Sequence, residues 1–189
     1  MIYTFLNLKM AGLLVGLALI LGHALALVRS ESTRNWLLAF PRSRVLGRVL
    51  LVGVAIWAFL LVAEMDLGEF TSYRNLFLIL IPIAAFLSLK YVEEFLAVRA
   101  TGMLLLLAAE PVLEAAFLRP EKTRLLLVVL AYAWAIFGMV WVGMPYKMRD
   151  QIRWLVKSPA RWNAALYLGL VYGMAILVCS LAFFGAASN

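Results

Sequence analysis

Six apolar runs, divided by short charged connections, restrict this chain more than any motif in it. A helix needs about 20 predominantly apolar residues to cross a bilayer, and runs of that kind fall at 10–28, 45–63, 76–98, 102–118, 125–144 and 163–184. Backbone polar groups in hydrocarbon must find partners within the segment, so the runs read as helices. Composition agrees. Residues are 66% hydrophobic and only 14% charged, with a mean hydropathy of +0.97, whereas a soluble domain has about a quarter charged. A water-soluble fold of 189 residues could not hide so much apolar surface. The fold class expected is therefore all-α: a polytopic membrane protein, one six-helix transmembrane bundle over residues 1–189. The first run is expected to be a retained helix rather than a signal peptide. It is long, only Lys9 precedes it, and more apolar residues follow Ala24-Leu25-Ala26.

Charge between the runs orients the bundle. The connection after the first run holds Arg29, Arg34, Arg42, Arg44 and Arg48, and the one before the last holds Lys147, Arg149, Arg153, Lys157 and Arg161. Cation-rich short loops stay in the cytoplasm. Two such loops share a side only when an even number of spans separates them, which requires 102–118 to be a span. Lys90 and Arg99 then bring the inner total to twelve, against Lys9, Arg74, Arg119, Lys122 and Arg124 outside. Both termini are expected on the exterior side, and the location expected is a bacterial inner (plasma) membrane.

The two cationic connections also share a spelling, Trp36-Leu37-x-x-x-Pro41 and Trp154-Leu155-x-x-x-Pro159. Tryptophan suits the headgroup level, and proline suits the first turn of a helix, where its missing N–H is not needed. Segments 34–44 and 150–161 are read as two interfacial elbows, with Trp36, Pro41, Trp154 and Pro159 as anchors and Arg42, Arg44 and Arg161 reaching lipid phosphates. They are read as similar answers to one constraint rather than as a duplication. The anionic inner leaflet is thus the expected partner, together with other membrane subunits or a second copy. The net charge of +7 is explained by topology, not by nucleic acid.

Polar residues inside the runs are the candidates for chemistry. Glu110 is placed near the middle of the fourth run, where a carboxylate is costly unless paired, hydrated or protonated. Glu114 follows one turn later on the same face, and Pro111 frees a carbonyl between them. Residues 90–102 hold no Pro or Gly before Gly102, so the third helix is expected to continue through them. That would place Lys90, Glu93 and Glu94 on one face, with Arg99 further along the same helix. His23, the single histidine, is the best partner for Glu110 by depth. These seven residues form the candidate transport cluster.

Other classes are disfavoured. One His and one Cys (Cys179) exclude a bis-His haem, a multi-His/Cys zinc site and an intrachain disulfide. None of the common catalytic motifs occurs. No metal or cofactor is expected, and an enzyme is the least favoured class. A non-catalytic integral subunit or scaffold is favoured, with a small carrier or channel for an ion, proton or small solute as the alternative.

Overall fold

The computed structural model of the protein describes residues 6–182 apart from Glu93, and among these it is helical without strands. Eight α-helices are present: α1 Leu8–Val28, α2 Ser30–Ala39, α3 Arg44–Glu64, α4 Arg74–Tyr91, α5 Leu96–Ala116, α6 Leu125–Gly143, α7 Tyr146–Val156 and α8 Pro159–Ala182. Short 3₁₀ turns at Phe40–Arg42, Gly68–Tyr73 and Lys122–Arg124 join them. Six of the helical segments are long and apolar enough to cross a membrane. A 21-residue helix such as α1 rises about 31 Å, close to the thickness of a hydrocarbon core.

Short polar side chains start two of these helices. Asn7 accepts from the Met10 N–H (2.8 Å) and Ser43 from the Leu46 N–H (3.3 Å), each satisfying a donor that the first turn leaves open. Arginines serve the opposite ends. Arg74 donates to the Met65 carbonyl (2.7 Å), Arg124 to Ala116 (2.6 Å) and Arg99 to Val142 (3.2 Å). Each closes the C-terminal end of a helix, where carbonyls lack intrahelical partners and the helix dipole favours a cation.

The central helix is α5. It runs antiparallel to α6 and packs on α3, which also carries α4; α1 and α8 form a second antiparallel pair that meets α5 through α1. Both antiparallel pairs cross on glycine. A Cβ on Gly102 would lie 2.8 Å from the Gly138 carbonyl oxygen, and one on Gly138 2.7 Å from that of Gly102. Gly16 and Gly173 face each other similarly, with the corresponding distances at 3.1 and 3.2 Å. Small residues let helix backbones approach where no hydrophobic driving force exists between helices. The Gly169-x-x-x-Gly173 pair of α8 is therefore a packing face, and α1 is what covers it. Apolar side chains such as Ile79, Val171 and Leu168 point outward, as a lipid-facing surface requires.

One expectation about the helices is corrected. The third helix does not continue to residue 98: α4 stops at Tyr91, and α5 begins at Leu96 rather than at 102. Phe95 closes the corner in the left-handed region (φ 56°), a conformation costly for a residue with a Cβ. Burial immediately after it offsets that cost. Leu96, Ala97 and Val98 are all buried, and the Ala97 backbone lies where a Cβ on Gly47 would be. Because residues 90–102 contain no turn residue before Gly102, local sequence did not mark this break.

All three cation-rich connections lie at one end of the bundle. There α2 packs on α7, and Phe40, Ala97, Val98, Met148 and Ile152 form one buried cluster. Trp162, 1% exposed, fastens α8 to this end by donating from Nε1 to the Ser30 hydroxyl (2.9 Å), with the Arg34 guanidinium 5.2 Å from its ring centre. Replacing it by alanine should cost about 3–5 kcal/mol, the range for deleting a large buried aromatic. Trp36→Ala and Trp154→Ala, at exposed positions, should each cost less than about 1 kcal/mol. Thermal melts of the three variants in one detergent check the order.

Candidate functional site

The carboxylates of α5 lie in a groove at the end opposite the cationic connections. Glu110 is fourteen residues from Leu96 and six from Ala116, so it lies about 9 Å from the helix end rather than at mid-span. The earlier start of α5 produces that shift. The helix runs through Pro111, which is buried, so the proline does not break it. Glu110 and Glu114, both half-buried, line a groove of about 570 Å³ with Leu106, Leu113 and Phe117. Asp66, from the connection after α3, lines the same groove. Three carboxylates around one cavity make it attractive to cations.

The remaining members of the candidate cluster lie elsewhere. His23 Nδ1 donates to the Leu19 carbonyl of its own helix (2.7 Å), and the rest of its ring rests on Gly169 of α8. It is five residues from the cationic end of α1, which separates it from Glu110 by about 13 Å along the bundle. Depth therefore does not pair them. Lys90, in the last turn of α4, lies over the Tyr91 ring at 5.3 Å. Glu94 is exposed in the corner, off the helix that carries Lys90. Arg99 is in the first turn of α5 and caps α6. Glu93 lies outside the described residues. The expected single helix carrying Lys90, Glu94 and Arg99 is thus divided into two helices and a turn.

The elbow residues do come together. Trp36 is near the end of α2, and its ring lies 5.2 Å from that of Phe40. Pro41 is buried in the following 3₁₀ turn, Arg42 ends that turn, and Arg44 opens α3. Trp154 is in the last turn of α7, where the Arg161 guanidinium lies 4.5 Å from its ring centre and donates to its carbonyl (3.3 Å). Pro159 is the first residue of α8. Each tryptophan thus ends a short amphipathic helix, and each proline belongs to the element that follows. Between α2 and α7 a smaller cavity of about 140 Å³ is lined by Leu38, Pro41, Arg42, Arg149, Ile152 and Arg153.

Several positions that line these cavities or crossings escaped sequence reasoning. Asp66 falls in a connection between runs and carries no sequence signal of a site, although an up-and-down order brings the end of the second run beside the end of the fourth. Arg149 and Arg153 were counted only as orienting cations, although their four-residue spacing places them on one helical face. Gly16, Gly102 and Gly138 carried the signal of small residues inside apolar runs, without partners to make it specific. Comparison of the chain with protein-family models, with curated proteins and with solved structures finds no match in any of the three.

Proposed function

We propose that this chain is an integral subunit or scaffold of a membrane assembly, non-catalytic in itself, inserted in an inner (plasma) membrane with its cationic end in the cytoplasm and both chain ends outside. The observation that carries this reading is how the interior is used. At the two glycine crossings backbones meet directly, and the buried clusters between the two ends are apolar, among them Val15, Ala109, Val112, Leu127 and Ile176. Arg99, Tyr172, Thr101 and Ser180 each donate to a backbone carbonyl, which is a structural use of polar groups. By contrast α4 buries no residue. Among the long helices its main contact is with α3, leaving a flank for neighbouring transmembrane helices.

A second reading, a small carrier, is favoured by one observation: Asp66 joins Glu110 and Glu114 in a single groove. Two measurements separate the readings. A photo-crosslinker at Ile83 or Phe86, both outward on α4, should form a protein adduct in native membranes if the chain is a subunit. Proteoliposomes of the purified protein should then show no proton or cation flux above empty liposomes, and Glu110→Gln and Glu110→Leu should both assemble normally. Lipid-only adducts, together with wild-type flux abolished by Glu110→Gln, would establish the carrier and end the scaffold reading.

A further inference from the structure

The cavity between α2 and α7 brings three arginines to one place from two separate connections. Arg42 arrives at the end of the 3₁₀ turn after α2, while Arg149 and Arg153 project four residues apart from α7. Like charges at that spacing on a helix repel, and among the described residues no carboxylate lines the cavity. One acid is close by in sequence: Asp150 accepts from Arg149 at Nε (3.0 Å) and Nη2 (2.9 Å). That pair, with the Arg149 guanidinium 5.7 Å from the Phe95 ring centre, steadies one wall. Arg42 and Arg153 are exposed, and neither forms an ion pair among the described residues.

The other walls are apolar. Pro41 and Ile152 are buried, and Leu38 borders the opening. Such a cavity presents cations to a charged head and hydrocarbon to what is attached to it. Guanidinium forks match phosphate oxygens in pairs, which a point charge such as lysine does not. The exposed Trp36 and Trp154 are on the same two helices, at the level that tryptophan adopts among headgroups.

We propose that the Arg42–Arg149–Arg153 cavity is a binding site for a phosphate group at the membrane surface, supplied by the headgroup of an anionic phospholipid. The site goes beyond general attraction of a cationic end to an anionic leaflet, because it assigns binding to three particular arginines out of twelve cations at that end. It rests on the reading of the six long helices as membrane-spanning.

The test uses the full chain in neutral detergent, with native mass spectrometry and a thermal-shift assay. Phosphatidylglycerol, phosphatidylcholine and inorganic phosphate are added separately to wild type, Arg42→Gln, Arg153→Gln, and two controls at exposed cations outside the cavity, Arg48→Gln and Arg119→Gln. Wild type should retain one phosphatidylglycerol at least about tenfold more strongly than phosphatidylcholine. Arg42→Gln and Arg153→Gln should each lose about tenfold, the scale of one charge-assisted hydrogen bond, and the controls less than about twofold. Stabilisation by millimolar inorganic phosphate that also depends on Arg42 and Arg153, without preference between the lipids, would keep the phosphate site but make its source soluble. Equal losses in Arg48→Gln and Arg153→Gln would overturn the site, since general surface charge would then account for binding. A chain that stays soluble without detergent would instead remove the membrane reading itself.

Discussion

Gly138→Val and Gly102→Val should each cost the folded bundle at least about 3 kcal/mol, the upper end of what overpacking a tight interior does. The reason is geometric. A Cβ on either glycine falls under 3 Å from the carbonyl oxygen of the other, and the one on Gly138 also comes within 2.9 Å of Leu106 Cγ. A backbone oxygen cannot rotate away as a side chain can, so relief requires α5 and α6 to separate. Separation would also loosen the Arg99 bond to the Val142 carbonyl, which spans the same pair of helices. For a chain of this size, about 3 kcal/mol lowers the melting temperature by roughly 6–12 °C. Gly22 and Gly53 are the controls, because nothing lies within 4 Å of a Cβ there. Replacing either by alanine should stabilise by about 0.5–1 kcal/mol, since glycine weakens a helix interior. Detergent melts of the four variants, with size-exclusion profiles, check both signs. A Gly138→Val protein that melts with wild type would mean that α5 and α6 do not cross here.

Accessibility labelling should divide the chain between two faces. In a Cys179→Ala background, cysteine at Ser32, Ser43 or Ser158 should resist a membrane-impermeant thiol reagent in intact cells and react after permeabilisation. Cysteine at Ser72 should react in both conditions. The expectation follows from where the charge sits. In the sequence, the three cation-rich connections carry twelve cations against Glu31, Glu93, Glu94 and Asp150, a surplus of eight. The rest of the chain has five cations and six carboxylates, counting Glu110 and Glu114. In an inserted chain such asymmetry would retain the cationic end in the cytoplasm. Ser43 and Ser158 are part-buried while Ser32 and Ser72 are exposed, so the permeabilised sample separates burial from sidedness. Labelling of Ser43 and Ser158 from opposite faces would contradict the bundle, whose α2 and α7 touch.

How much of this was legible beforehand differs from element to element. Four apolar runs, at 10–28, 45–63, 125–144 and 163–184, correspond to helices α1, α3, α6 and α8 within a few residues, because continuous hydropathy over some twenty residues is a local property. The boundary between α4 and α5 was misplaced for the opposite reason. Nothing in residues 90–101 breaks a helix by propensity, and the break at Phe95 is held by burial of Leu96, Ala97 and Val98 against other helices. The site divided in the same way. Glu110 and Glu114 were evident as charges in an apolar run. Their companion Asp66, and the separation of His23 from them, depend on which helix ends meet.

The order of residues alone determined that this chain is all-helical, with six segments long and apolar enough for a membrane and cations gathered in alternate connections. Those features follow from apolar surface and charge, which add up along the chain and need no partner. Tertiary structure decided which helices touch. It set Gly102 against Gly138 and Gly16 against Gly173, turned three arginines to helix-end carbonyls, and joined α2 to α7 so that Arg42 meets Arg149 and Arg153. Hydropathy is nearly equal on all faces of such helices, so it cannot choose a packing face. That choice rests on close approach between backbones and on the pairing of polar groups, which exist only once distant parts of the chain are in contact.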